Sequence, residues 1–116
     1  MQERRKTSRK DLMFYSRVHD AITGRQVGNL LNITVGGAMV LCDKPIEPQT
    51  VMELHIELPD GIADKSELVI TGTSVWHQPD INPEFFDVGF QFQEVDPADQ
   101  KIIQVLVKEY GFRQQQ

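Results

Sequence analysis

The sequence predicts a mainly β fold, a six-stranded antiparallel β-barrel with one C-terminal α-helix. Three observations predict it. Apolar residues alternate with polar ones in short runs between Asp11 and Phe92, the period of strands with one buried face. Turn residues punctuate those runs at intervals too short for crossover helices. Beyond Asp96-Pro97 the period lengthens to that of a helix. A short antiparallel sheet removes its exposed edges by closing, and the helix then packs on the surface or over one end.

Each element has its own signal. From Asp11 to His19, Leu12, Phe14 and Val18 point one way and Met13, Tyr15 and Arg17 the other. Thr23-Gly24-Arg25 reads as a turn. Gln26 to Ile33 alternates again, with Val27, Leu31 and Ile33 expected on one face, and Gly36-Gly37 breaks the run before Ala38 to Cys42. Pro45 and Pro48 bracket a loop. Val51 to Leu58 is the cleanest strand, with Met52, Leu54, Ile56 and Leu58 inward and Glu53, His55 and Glu57 outward. Pro59-Asp60-Gly61 turns the chain, because proline presets φ and glycine accepts a positive value. Leu68 to Trp76 is rich in β-branched residues, Gln78 to Glu84 is expected to be a loop, and Phe85 to Phe92 places Phe86, Val88, Phe90 and Phe92 on one face. Asp96 then caps a helix that begins at Pro97, carries Ile102, Ile103, Leu106, Val107 and Tyr110 on one stripe, and stops at Gly111. The expected organisation is one domain over residues 1–116: a flexible basic arm (1–10), a barrel (11–95) and a helix (96–112).

Composition narrows the function. The net charge is -5, but its distribution is uneven. Residues 1–10 hold Arg4, Arg5, Lys6, Arg9 and Lys10 against Glu3 alone, whereas the other 106 residues carry seven basic and sixteen acidic side chains, a balance of -9. A cationic arm on an acidic body suits a small anion or phosphate, while the acidic body disfavours a nucleic acid polymer in an electrostatic groove. Taken by itself, such a terminus is simply solvated chain. No apolar run approaches the roughly 20 residues that span a bilayer, so no membrane insertion is expected. The N-terminus lacks the apolar core of a secretory signal. One cysteine, Cys42, fits a reducing cytoplasm, the expected location, and within Ala38-Met39-Val40-Leu41-Cys42 it reads as a small buried hydrophobe.

Nothing supports catalysis, and no enzyme is expected. His19, His55 and His77 lie in separate segments, and no nucleotide-cradling glycine loop or paired-cysteine motif occurs. His55 shares an outward face with Glu53 and Glu57, which makes a metal site conceivable, although a solvated surface explains the same pattern. No metal or cofactor is expected. Asn32-Ile33-Thr34-Val35-Gly36-Gly37 is more specific. Asn32 offers an amide donor and acceptor and Thr34 a hydroxyl, a set that can read a purine edge. Gly36 or Gly37 would allow positive φ or the close approach of a ligand. By itself the segment reads as a tight connection between strands.

Together, these segments resemble a family. Arg5-Lys6-Thr7-Ser8-Arg9 matches an RxxxR motif and Asn32 to Gly37 matches (D/N)x(S/T)xxG, in the order and at the separation found in PilZ domains, the cyclic di-GMP receptors of bacteria. Val88-Gly89-Phe90-Gln91-Phe92 resembles the family's closing GxxF strand, and a helix follows. The resemblance covers nearly the whole chain.

The resemblance implies a non-enzymatic receptor for cyclic di-GMP. By position, Arg5 and Arg9 bind phosphate and guanine, which suits arginine's planar fork. Asn32 and Thr34 would hydrogen-bond a guanine edge, and Gly36 and Gly37 would shape the turn. Arg4 matches a position where arginine favours an intercalated ligand dimer, and Trp76 one where some members stack an aromatic ring on guanine, although a tryptophan of the barrel core or rim fits equally. Ordering of the arm around the ligand would present a changed surface to an effector protein. Asn32 stands where aspartate is commoner and Thr34 where serine is. The alternative implied reading is a PilZ-like adaptor that binds protein with weak or no nucleotide binding.

Overall fold

The alternating runs close into a barrel in the computed structural model, which describes residues 16–110. The strands are β1 (Arg17–Asp20), β2 (Gln26–Thr34), β3 (Gly37–Cys42), β4 (Val51–Glu57), β5 (Glu67–Pro79) and β6 (Phe86–Phe92), followed by α1 (Pro97–Tyr110). Every neighbouring pair is antiparallel, and the order around the closed barrel is β1-β2-β3-β6-β5-β4. The fold class read from the sequence is the one observed.

Inward positions form one core. Val18, Ile33, Val40, Leu54, Ile56, Leu68 and Val88 are fully buried, as are Ile103 and Leu106 of α1. Burying each such side chain contributes about 1.5–3 kcal/mol, which offsets the entropy of ordering short strands. In β4 the inward set is as expected, with Leu54, Ile56 and Leu58 buried, except that Met52 is only partly so. In β2 it is not. Gly28, Leu30 and Ile33 are buried, whereas Val27 and Leu31 are only partly so. The register of β2 against β3 shifts between Leu30 and Asn32, so Leu31 is an extra residue that flips the faces after it. The expected loop from Gln78 also begins later, because Gln78 and Pro79 pair with Asp87 and Phe86 and belong to β5. Pro79 is tolerated there as the strand's last residue.

Antiparallel topology sorts the connections to two ends. The β1–β2 turn, the β3–β4 loop and the β5–β6 hairpin share one end. At the other lie the β2–β3 turn, the β4–β5 loop, the start of β1 and the entry into α1. The helix starts as the sequence predicts: the Gln100 amide donates to Asp96 O at 2.9 Å. It packs against β2, and its buried Asp99 accepts from Lys65 Nζ of the β4–β5 loop at 2.7 Å. The ordering of the chain thus places α1 at the same end as the Asn32–Gly37 segment. Gly111, the expected stop, lies outside the described residues.

Candidate functional site

The β2–β3 connection lies close against β6. Thr34 Oγ1 accepts from the Gly36 amide at 3.2 Å, which leaves the hydroxyl proton free to donate. Gly36 O accepts from the Phe92 amide at 2.9 Å. A Cβ on Gly37 would overlap the carbonyl oxygen of Phe90. Close approach of backbone is therefore what Gly37 supplies. Neither Gly36 nor Gly37 is in the left-handed region; among the described glycines that region holds Gly24 and Gly61. Of the two possibilities the sequence left open at the double glycine, positive φ is not adopted, and Thr34 and Gly37 pair across the turn.

Two bulges aim the candidate side chains. Without the extra Leu31, Asn32 would take the inward position opposite Ala38; with it, Asn32 pairs with Met39 and faces out. The second bulge is in β5, where the register against β6 shifts between Ser74 and Trp76. Without it, Trp76 would share the inward side with Val88; with it, Trp76 pairs with Gly89 and faces out. Met39 and Gly89 are themselves paired. Asn32, Met39, Gly89 and Trp76 thus form one row across β2, β3, β6 and β5 on the outer wall. Bulges beside functional sites re-aim side chains in this way.

Gly89 makes the row a seat for the indole. A Cβ there would run into Cε2 and Nε1 of Trp76, so the ring covers the glycine while 40% of the residue stays exposed. At the other end of the row, Asn32 Oδ1 is buried with no hydrogen-bond partner among the described residues. Such an acceptor is desolvated in advance and awaits a donor. Between them is a shallow open groove of about 220 Å³, lined by Asn32, Ile33, Thr34, Gly37, Ala38, Met39 and Trp76. Its size suits part of a ligand, such as one base, and its lining carries no charge.

The structure therefore brings Asn32, Thr34, Gly37 and Trp76 together, with Gly36 in the adjoining turn. Arg4, Arg5 and Arg9 lie outside the described residues. Met39 and Gly89 are participants that residue type did not reveal, because their contribution comes from register.

The remaining reactive groups are elsewhere. His55 Nδ1 lies 3.3 Å from Glu67 Oε2, and Glu57 is engaged by Arg17 Nε at 3.3 Å. Among the described residues, no group of three or more His, Cys, Asp or Glu side chains is placed to hold a metal. Burial, then the charges of Asp43 and Asp87, pushes the Cys42 thiol up to about 12, which makes it a poor nucleophile. Asp87, in β6 beside Gly89, is pushed up to about 6 by burial and by the carboxyl of Asp80, against a hydrogen bond from Gln78 that lowers it. At the opposite end a second groove of about 350 Å³ has a mixed lining of Asp20, Arg25, Asp43 and Lys44 with apolar neighbours. No helix among the described residues is long and apolar enough to cross a membrane.

The fold has counterparts. The family model for the PilZ domain matches residues 3–109. In structure the chain is similar to the Bacillus subtilis inhibitor of motility MotI/DgrA, with a TM-score of 0.65 and 16% identity, covering 84% of this chain. The chain spans about half of that protein, 48% of its length. It is also similar to the PilZ domain of YcgR from Escherichia coli, solved with c-di-GMP, with a TM-score of 0.61, 10% identity, and coverage of 83% of this chain and 82% of that one. No curated protein matches it in sequence.

Proposed function

This chain belongs to the PilZ domain family, and from that premise we propose that it is a receptor that binds cyclic di-GMP without transforming it. One observation carries the reading: two separate bulges bring a donor-seeking amide, Asn32, and an exposed indole, Trp76, into one row over an uncharged groove. A guanine needs both features, a polar partner for its edge and a flat partner for its face. The PilZ domain of YcgR, which shares this fold, was solved with c-di-GMP.

The groove supplies no charge, so the ligand's two phosphates need cations from elsewhere. The arm holds Arg4, Arg5, Lys6, Arg9 and Lys10. The point at which the described chain begins favours the groove. Ser16 O accepts from Leu30 N at 2.8 Å, so the chain enters β1 at the end of the barrel where β2 reaches Asn32 and Thr34. Seven residue-to-residue steps join Arg9 to Ser16, a reach of up to about 23–25 Å. From Leu30 to Thr34 a strand covers only about 13 Å. In this reading Arg5 and Arg9 clamp phosphate and guanine, Thr34 and Asn32 take the guanine edge, and Arg4 favours a second, intercalated ligand. Arm ordering then alters the surface offered to an effector protein.

Isothermal titration tests the proposal. Wild type should bind cyclic di-GMP, and Arg5→Ala should lose about 1.5–3 kcal/mol, the value of charged hydrogen bonds, or roughly ten- to a hundredfold in affinity. No heat with wild type at micromolar protein would sink the receptor reading and leave an adaptor that binds protein alone.

A further inference from the structure

The bulge that turns Trp76 outward has a distinct support. Ser74, the residue before it, is fully buried. Its hydroxyl donates to Glu47 O at 2.7 Å and accepts from the Thr50 amide at 3.0 Å. Its backbone is held by the same loop: Gln49 N donates to Ser74 O at 2.7 Å, and Ser74 N donates to Thr50 O at 2.9 Å. The loop adapts to make these bonds, with Gln49 in the left-handed region at φ 73°. On its other side Ser74 pairs with the buried Phe90.

This grip lies where register is least determined. The paired part of β4 ends at Val51, opposite Thr73, so beyond that point β5 keeps only β6 as a strand neighbour among the described residues. A strand paired on one side can slip by one residue, and a one-residue slip reverses every face. If the extra residue were taken into the ladder, Val75 would meet Gly89 and Trp76 would meet Val88, on the inward side.

We propose that Ser74 is a positioning residue that holds the indole of Trp76 outward over Gly89. Its four bonds to Glu47–Thr50 fix Ser74 opposite Phe90, so Val75 is the residue left over and Trp76 is the next to pair. The functional consequence rests on the reading of the groove as a dinucleotide site; the placement of the indole does not.

Trp76 is the one tryptophan of the chain, so its emission reports this geometry directly. In Ser74→Ala the emission maximum and acrylamide quenching should both change from wild type. Affinity for cyclic di-GMP should fall as far as in Trp76→Ala, roughly five- to a hundredfold for the loss of one stacked base. The double variant should bind no more weakly than Trp76→Ala alone. Deleting Val75 separates positioning from ordinary structural support. It puts Trp76 next to Ser74 in a regular ladder, opposite Gly89 without any bulge. In that background the emission should match wild type, and Ser74→Ala should no longer alter it. A folded Ser74→Ala protein with unchanged emission and quenching would overturn the proposal. So would a Val75 deletion that itself displaces the indole, or a Ser74→Ala change that persists in the deletion background. Should Ser74→Ala alone not fold, the two proteins in the deletion background decide the matter by the same criteria. Failure of wild type to bind cyclic di-GMP would remove the receptor reading and leave the fluorescence result standing.

Discussion

The two walls of this barrel are built from the same kind of strand and do different things. Along β1, β4 and β5 the ladder is unbroken: β4 meets β5 residue for residue from Val51–Thr73 to Glu57–Glu67. Its outer side carries Arg17, His55, Glu57 and Glu67, which pair with one another at 3.3 Å. Along β2, β3, β6 and β5 the ladder is broken twice, and the row between the breaks is Asn32, Met39, Gly89 and Trp76. A regular ladder presents whatever the alternation presents, and here that is solvated charge. Two extra residues are enough to set aside that alternation and assemble a neutral groove with a buried amide oxygen and a seated indole.

The sharpest way to break the contrast is to give the groove wall a side chain where it has none. A Cβ on Gly37 overlaps backbone, the Phe90 carbonyl oxygen, so β3 and β6 must move apart. Gly37→Ala should cost about 3 kcal/mol, the upper part of the range for overpacking. On the charged wall His55→Ala, at an outward and partly exposed site, should stay within about 0.5 kcal/mol. Urea midpoints at unchanged slope measure both. Equal effects at the two positions would show that the groove wall is not the tightly fitted one.

That contrast also explains what the sequence could and could not tell. β4 is legible because Leu54 and Ile56 alternate with Glu53, His55 and Glu57, and no residue intervenes. In β2 the bulge falls between Leu30 and Leu31, two identical side chains, so composition cannot show which one is extra. Strict alternation through β5 puts Trp76 on the side of Ile70 and Ser74; only the hydrogen bonds of Ser74 to a loop some 25 residues upstream reverse it. Residue types thus offered Asn32, Thr34 and Gly37 as candidates and the family resemblance added Trp76, while their meeting in one groove depended on long-range pairing. Met39 and Gly89 carry no chemical signature, and Gln78 and Pro79 look like loop until Asp87 and Phe86 are set beside them.

A smaller effect separates stability from binding at Asn32. Its buried Oδ1 has no partner among the described residues, and an orphaned acceptor of this kind costs about 1–3 kcal/mol. Asn32→Ala removes the amide together with that cost. The variant should be more stable than wild type by about 1 kcal/mol and should bind cyclic di-GMP roughly tenfold more weakly, since a lost hydrogen bond is worth about 1–1.5 kcal/mol. Thermal unfolding and titration on the same preparation give the two numbers. Loss of both stability and affinity would mean that the amide is satisfied in the free protein and serves the fold.

The least of the expected effects lies at the border of the groove wall, where Asp87 stands one outward step from Gly89 and pairs with Gln78. Burial, and then Asp80, raises its carboxyl from 3.8 to about 6. The folded protein therefore holds that proton across a window, about pH 4 to 6, in which the unfolded chain has released it. Stability from this group is complete below about pH 4 and is lost as the pH rises through about 6. Asp87→Asn keeps the shape and has no proton to release. It should match wild type near pH 4 and exceed it at pH 7.5, by up to roughly 1 kcal/mol after allowance for solvent screening of this partly exposed pair. Urea unfolding of both proteins at the two pH values tests this. Parallel curves would mean that the two carboxyls do not share a proton, and that the groove wall is as indifferent to pH at its edge as its uncharged lining is at its centre.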